Sequence, residues 1–216
     1  MADTRTQINI PVNTIKLDGD LVIPEHAHNI VVFAHGSGSS RLSPRNRHVA
    51  SILNQEKFAT LLVDLLTAEE DAIDAQTAEF RFDIDRLSER LVAITDWLGE
   101  QPSTKNLRQH YFGASTGGAA ALQAAAQRPK QIASVVSRGG RPDLAGSALS
   151  KVQSPTLLIV GGNDPVVIEL NQQAQQQLKA TNTLEIIANA THLFEESGAL
   201  DQVAALACKW FKQYSV

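Results

Sequence analysis

The sequence predicts an α/β architecture in a single domain, 1–216: a mostly parallel sheet of about eight strands with helices on both faces and no substantial lid. Three observations carry this. Short apolar runs rich in β-branched residues alternate with helical patterns along the whole chain, a βα rhythm. No internal repeat and no linker divides it. A length of 216 residues, 43% of them hydrophobic, suits one domain with a substantial core.

Taken in order, "TQINIPV" and "TIKLDGDLVIP" are separated by a brief turn and predict an antiparallel start. "NIVVFAH", "ATLLVDLL", "QHYFGAS", "IASVVS", "PTLLIVGG" and "LEIIANA" follow, nearly continuous in apolar character as buried parallel strands are. From Asp83 to Gly99, Ile84, Leu87, Leu91, Ile94 and Leu98 fall on one helical face, with Asp83 as N-cap. Between Val166 and Ala180 a glutamine-rich stretch keeps Leu170, Ala174 and Leu178 in an apolar stripe, so its glutamines read as a solvated helix face. The longest segment without a clear pattern is 67–82, either a loop over the functional site or a surface excursion. The last helix places Leu200, Val203, Ala207, Trp210 and Tyr214 at helical spacing and carries the one cysteine, Cys208, as an inert thiol.

Composition excludes several classes. One cysteine rules out an internal disulfide and a thiolate-rich metal site. The net charge of −4 and the lack of a basic run argue against a nucleic-acid partner. The N-terminal "MADTRTQINIPVN" lacks the apolar core of a signal peptide, and no stretch approaches the roughly 20 apolar residues that span a bilayer, so no membrane is expected and a cytoplasmic location is the default. His26 and His28 have a His-x-His spacing but lie in a polar turn with no obvious third ligand, and no metal is expected there. His48 reads as facing along a helix, and His110 begins the strand before the serine; neither is placed like a base.

In "YFGASTGG", Gly113, Ser115 and Gly117 fit GxSxG. The motif follows a predicted strand and opens an alanine-rich helix, the context of a nucleophile elbow, and small residues suit so tight a turn. The serine is thereby lifted above the sheet edge at the positive end of the next helix. Asp164, in the turn of "GGNDPVV", and His192, in "THLF", follow in the chain order serine, acid, histidine, each just beyond a strand. Asp143 is the competing acid. An acyl-transfer site also needs donors for a developing oxyanion. "AHGSGSS" supplies a loop in which His35 and Gly36 end the strand and the N–H of Ser37 faces that of Thr116, with Gly38 as alternative donor. The absence of GxGxxG and of a Walker lysine argues against a nucleotide loop.

With these motifs in order over nearly its whole length, the chain resembles the α/β-hydrolases, and among them the dienelactone hydrolase-like group. The resemblance implies Ser115 as nucleophile, Asp164 as acid and His192 as base, with no metal or organic cofactor. Dienelactone hydrolases typically carry cysteine at the elbow, so Ser115 points to a general serine esterase acting on a small ester, lactone or thioester. An acyltransferase would use the same residues, and a silent binding protein would not need the full set. The short connection after Ser137 predicts a shallow site. Arg138 and Arg141 after the sixth strand, and Arg41, Arg45 and Arg47 after the oxyanion loop, are candidates to hold a substrate carboxylate, or are ordinary solvated and paired surface charges. Gly36, Gly38, Arg138 and Arg141 are thus the expected substrate-binding residues.

Overall fold

All eight apolar runs become strands in the computed structural model, which describes residues 5–215; Met1–Thr4 at the start of the first candidate run's polar leader lie outside the described residues. The strands are β1 (Thr6–Val12), β2 (Ile15–Val22), β3 (Asn29–Ala34), β4 (Phe58–Val63), β5 (Arg108–Ala114), β6 (Ile132–Arg138), β7 (Thr156–Gly161) and β8 (Asn182–Ile187). They form one sheet in the order β1-β2-β4-β3-β5-β6-β7-β8. β1 and β2 form the expected antiparallel hairpin, β2 runs antiparallel to β4, and every pairing from β4 to β8 is parallel.

Among the described residues six α-helices accompany the strands: α1 (Pro44–Gln55), α2 (Ala68–Thr77), α3 (Ile84–Glu100), α4 (Thr116–Gln127), α5 (Pro165–Gln177) and α6 (Ala199–Gln213), with a kinked 3-10 segment at Pro142–Lys151. Alternation along the strands divides the core. Ile30, Val32, Tyr111, Val135 and Leu158 point to the side of α3 and α4, while Val31, Phe33, Phe112, Val136 and Ile159 point to the side of α1 and α6. Both faces are therefore apolar, which is why the central strands read as continuous hydrophobic runs. α3 starts where its sequence predicts, with the Asp83 carboxylate accepting from Arg86 N at 3.1 Å.

Two expectations shift. The patternless 67–82 segment contains α2, because Thr67 and Glu70 form a capping box: Glu70 N donates to Thr67 Oγ1 at 3.2 Å and Thr67 N to the Glu70 carboxylate at 2.8 Å. Only Asp74 of this helix is buried, so no apolar stripe announced it. In α5 the buried face is Val167, Asn171 and Ala174, followed by Leu178, and Leu170 is only half-buried. Asn171 belongs to that face because its amide donates to Gly140 O at 3.0 Å and Val167 O at 2.8 Å.

Cys208 is buried on α6, where loss of solvent pushes its thiol up. His110 is buried between Ser134 Oγ at 2.9 Å and Asn29 Oδ1 at 3.0 Å. Burial, aided by the charge of Arg108, brings it down to about 3, so it is a neutral core group. His48 bonds Asp201 on α6 at 2.7 Å. Among the described residues no helix is long and apolar enough to cross a membrane, and no group of three or more His, Cys, Asp or Glu is arranged to hold a metal ion.

Candidate active site

The parallel strands end together, and the turns beyond β3, β5, β6, β7 and β8 meet at that edge. Ser115 sits between β5 and α4 with φ 51° and ψ −122°, a conformation side chains rarely adopt. The flanking glycines make it sterically attainable. A Cβ at Gly117 would lie 2.2 Å from Ala34 O and 2.5 Å from His35 O, and one at Gly113 would lie 2.5 Å from Gly117 O. All three obstacles are backbone atoms, which cannot rotate aside. Gly117→Ala is therefore expected to cost at least about 3 kcal/mol, read as a lowered urea midpoint or insoluble expression; a wild-type midpoint would contradict this packing.

Ser115 is held from two sides. Its N–H donates to Arg138 O at 3.2 Å, and its carbonyl accepts from Gly118 N at 3.0 Å and Arg141 N at 3.1 Å. The bend at 138–141 also backs onto the histidine, since a Cβ at Gly139 would lie 3.6 Å from His192 Cε1. Asp164 follows β7, and His192 lies in the turn between β8 and α6. Their contact is direct: His192 Nδ1–H donates to Asp164 Oδ2 at 2.7 Å, which leaves Nε2 as the ring nitrogen free of the carboxylate. Nε2 and Ser115 Oγ are not hydrogen-bonded to each other in this arrangement. Asp143 does not compete for the histidine, because both its oxygens accept from Arg141, at 2.9 and 2.8 Å.

The loop after β3 comes within contact of the elbow at Gly36, where a Cβ would be 2.9 Å from Ser115 Cβ. Ser37 Oγ and Thr116 Oγ1 are 3.1 Å apart, and among the described residues neither backbone N–H has an acceptor. Thr116 is the first residue of α4, whose opening N–H groups have no helical partner. Gly38, with φ 63°, is farther out and exposed.

Sequence reasoning missed three residues that support this loop. His35 is buried; its Nδ1–H donates to Gly36 O at 2.9 Å while Nε2 accepts from Leu65 N at 2.9 Å, tying the loop to the end of β4. Burial lowers its pKa, keeping the ring neutral as these bonds require. Asp74 accepts from the N–H groups of Phe80 and Arg81 at 2.7 and 2.8 Å and from Arg81 Nε at 2.8 Å. Arg81 O then accepts from Ser37 Oγ at 3.3 Å. The 67–82 segment thus stands beside the loop after β3. A cavity of about 540 Å³ opens between the loop and the start of this segment, lined by His35, Arg41, Asp64, Leu66 and Asp71 among others.

The candidate arginines are paired with carboxylates or turned to different faces. Arg41 pairs with Asp64, Arg45 with Glu195 at 2.8 Å and Arg47 with Asp20 at 3.4 Å. Arg141 is bound to Asp143, whereas Arg138 points to the other face of the sheet and packs over the Phe194 ring, 5.8 Å from its centroid. Alternation explains the split: Ser137 faces Gly118 on the α4 side, so Arg138 must face α1 and α6. Burial, with Arg45 nearby, brings Arg138 down to about 10, and it stays charged at neutral pH.

An eight-stranded sheet of this order, with an elbow serine, a histidine–aspartate pair and a glycine loop at its edge, defines an α/β-hydrolase. Residues 17–215 match the model of the dienelactone hydrolase family. A dienelactone hydrolase from Anabaena variabilis is 57% identical and superposes with a TM-score of 0.97 over 99% of each chain. The chain belongs to the dienelactone hydrolase family. Two Mycobacterium tuberculosis proteins, provisionally named phosphoribosyl transferases, are 54% identical over 205 residues, 95% of this chain and 45% of theirs. The chain thus spans less than half the length of these relatives. Est1E from Butyrivibrio proteoclasticus shares the fold at 16% identity, with a TM-score of 0.80 over 96% of this chain and 98% of that one.

Proposed function

We propose that the protein is a serine hydrolase that cleaves a small carboxylic ester, lactone or thioester through an acyl-enzyme on Ser115. The observation that carries this reading is the 2.7 Å His192–Asp164 bond beside a strained elbow serine. In the proposed mechanism, His192 Nε2 takes the Ser115 proton as Oγ attacks the substrate carbonyl, and Asp164 holds the imidazole and its positive form. The N–H groups of Ser37 and Thr116 stabilise the oxyanion. Collapse of the tetrahedral intermediate expels the alcohol or thiol, which takes the proton from His192. Water, deprotonated by His192, then attacks the acyl carbon and restores Ser115. In this reading the pairing of these groups needs no cofactor, and the substrate is a small molecule.

The transferase name of the longer mycobacterial proteins is not carried over, since this chain covers 45% of each. The competing reading is acyl transfer to an alcohol or thiol. Both are tested by p-nitrophenyl acetate, butyrate, octanoate and palmitate, with and without an added alcohol acceptor. The short connection from β6 to β7 builds no lid, so acetate and butyrate should turn over fastest, with the free acid as the product. Palmitate as the best substrate contradicts the shallow site. Acylated acceptor as the main product reassigns the protein as an acyltransferase.

A further inference from the structure

Two side-chain hydroxyls join the loop after β3 to the elbow. Thr116 is 2% exposed, and among the described residues the one partner of its Oγ1 is Ser37 Oγ, at 3.1 Å. Ser37 Oγ also lies 3.3 Å from Arg81 O, a carbonyl that can only accept. The direction of the chain follows: Thr116 Oγ1–H donates to Ser37 Oγ, whose own hydrogen goes to Arg81 O. Arg81 O is placed in turn by Asp74. That carboxylate is 1% exposed and accepts from Phe80 N at 2.7 Å, Arg81 N at 2.8 Å and Arg81 Nε at 2.8 Å, while Arg81 Nη2 donates to Asp74 O at 2.6 Å. Ser37, Thr116, Asp74 and Arg81 line one cleft of about 10 Å³, hardly the room of a single water and too little for a substrate group. The chain of bonds is therefore internal to the protein.

Ser37 and Thr116 follow different strands, β3 and β5, and an oxyanion is stabilised well only by donors whose positions are fixed in advance. Packing fixes the loop on one side alone. Gly36 lies against the elbow, but an added Cβ at Gly38 would meet nothing within 4 Å. Between those two glycines the Ser37 hydroxyl is the tether, bonded to the elbow through Thr116 and to the segment after α2 through Arg81 O. We propose that this chain is a hydroxyl clamp that fixes the separation of the Ser37 and Thr116 N–H donors, and that Asp74 is a positioning residue acting through Arg81 and Ser37. The proposal rests on the serine-hydrolase reading and assigns a role to side chains where that reading uses only backbone.

The test measures kcat and KM for p-nitrophenyl acetate in the full chain as wild type, Thr116→Val, Ser37→Ala, Asp74→Asn, and the Thr116→Val/Ser37→Ala and Ser37→Ala/Asp74→Asn double variants. Each rate is divided by the number of sites that a fluorophosphonate labels at completion, so unfolded protein drops out. Every single variant should lower kcat by about 10- to 100-fold, as a misplacement on the order of 1 Å does, with KM within a few fold. The three substitutions break one chain. Thr116→Val/Ser37→Ala should therefore be no slower than the slower of its singles, and Asp74→Asn should cost nothing further once Ser37 is alanine. Losses that multiply, losses carried by KM alone, or single variants that keep the wild-type kcat overturn the clamp. If Asp74→Asn does not fold, the Thr116 and Ser37 variants decide alone. A wild type that turns over no ester overturns the hydrolase reading and the clamp with it, whereas an active wild type with multiplying losses overturns the clamp only.

Discussion

Ser115→Ala is expected to lower ester turnover by about a million-fold, with Tm within a few degrees of wild type. The size of the loss follows from the chemistry. Without Oγ there is no nucleophile for His192 to activate and no acyl-enzyme, so only binding and oxyanion stabilisation remain. Alanine at this position keeps the Cβ that packs against Gly36 and disturbs no side-chain hydrogen bond of the elbow, whose three bonds are all made by backbone atoms. A hundredfold loss or less would mean that another group performs the attack. A collapse in Tm would mean that the hydroxyl is structural.

Asp164→Asn is expected to lower kcat by about 10,000-fold while leaving KM nearly unchanged. In the native pair, His192 Nδ1–H donates to a carboxylate oxygen at 2.7 Å. An asparagine in the same rotamer can turn its amide N–H toward Nδ1, which then becomes the acceptor and forces the proton onto Nε2. The histidine is then present but unable to receive the serine proton. Asp143→Asn is the control: that carboxylate is spent on Arg141, and its loss should leave kcat within a few fold. The reverse ranking of the two variants would assign the acid to Asp143.

Much of this architecture is legible in the chain because both faces of the sheet are covered. Buried parallel strands such as Ile30–Ala34 and Thr156–Gly161 must be apolar throughout, and such runs stand out without any alignment. The elbow is legible because a turn with Gly113 and Gly117 against backbone admits no other residue. What escapes is whatever depends on a polar contact between distant elements. α2 carries no apolar stripe; the capping pair Thr67 and Glu70 was the available signal, and its T-x-x-E spacing is readable in the sequence. The role of Asp74 beneath Arg81 has no such signature, since nothing in the composition of a polar helix tells which carboxylate will be buried. Arg138 and Arg141 lie three apart around two glycines, and only the strand alternation ending at Arg138 separates their directions. Counting that alternation forward from Val135 would have sent Arg138 to the α1 side.

The central claim is that Ser115 forms a covalent bond with an acyl-type electrophile under the control of His192. The most direct measurement is reaction of the intact chain with a fluorophosphonate, followed by mass determination and peptide mapping. The account predicts one added phosphonyl group, located on Ser115, formed rapidly in wild type, slowed by orders of magnitude in His192→Ala and absent in Ser115→Ala. Labelling at another residue, or labelling of Ser115 at the same rate without His192, would contradict it.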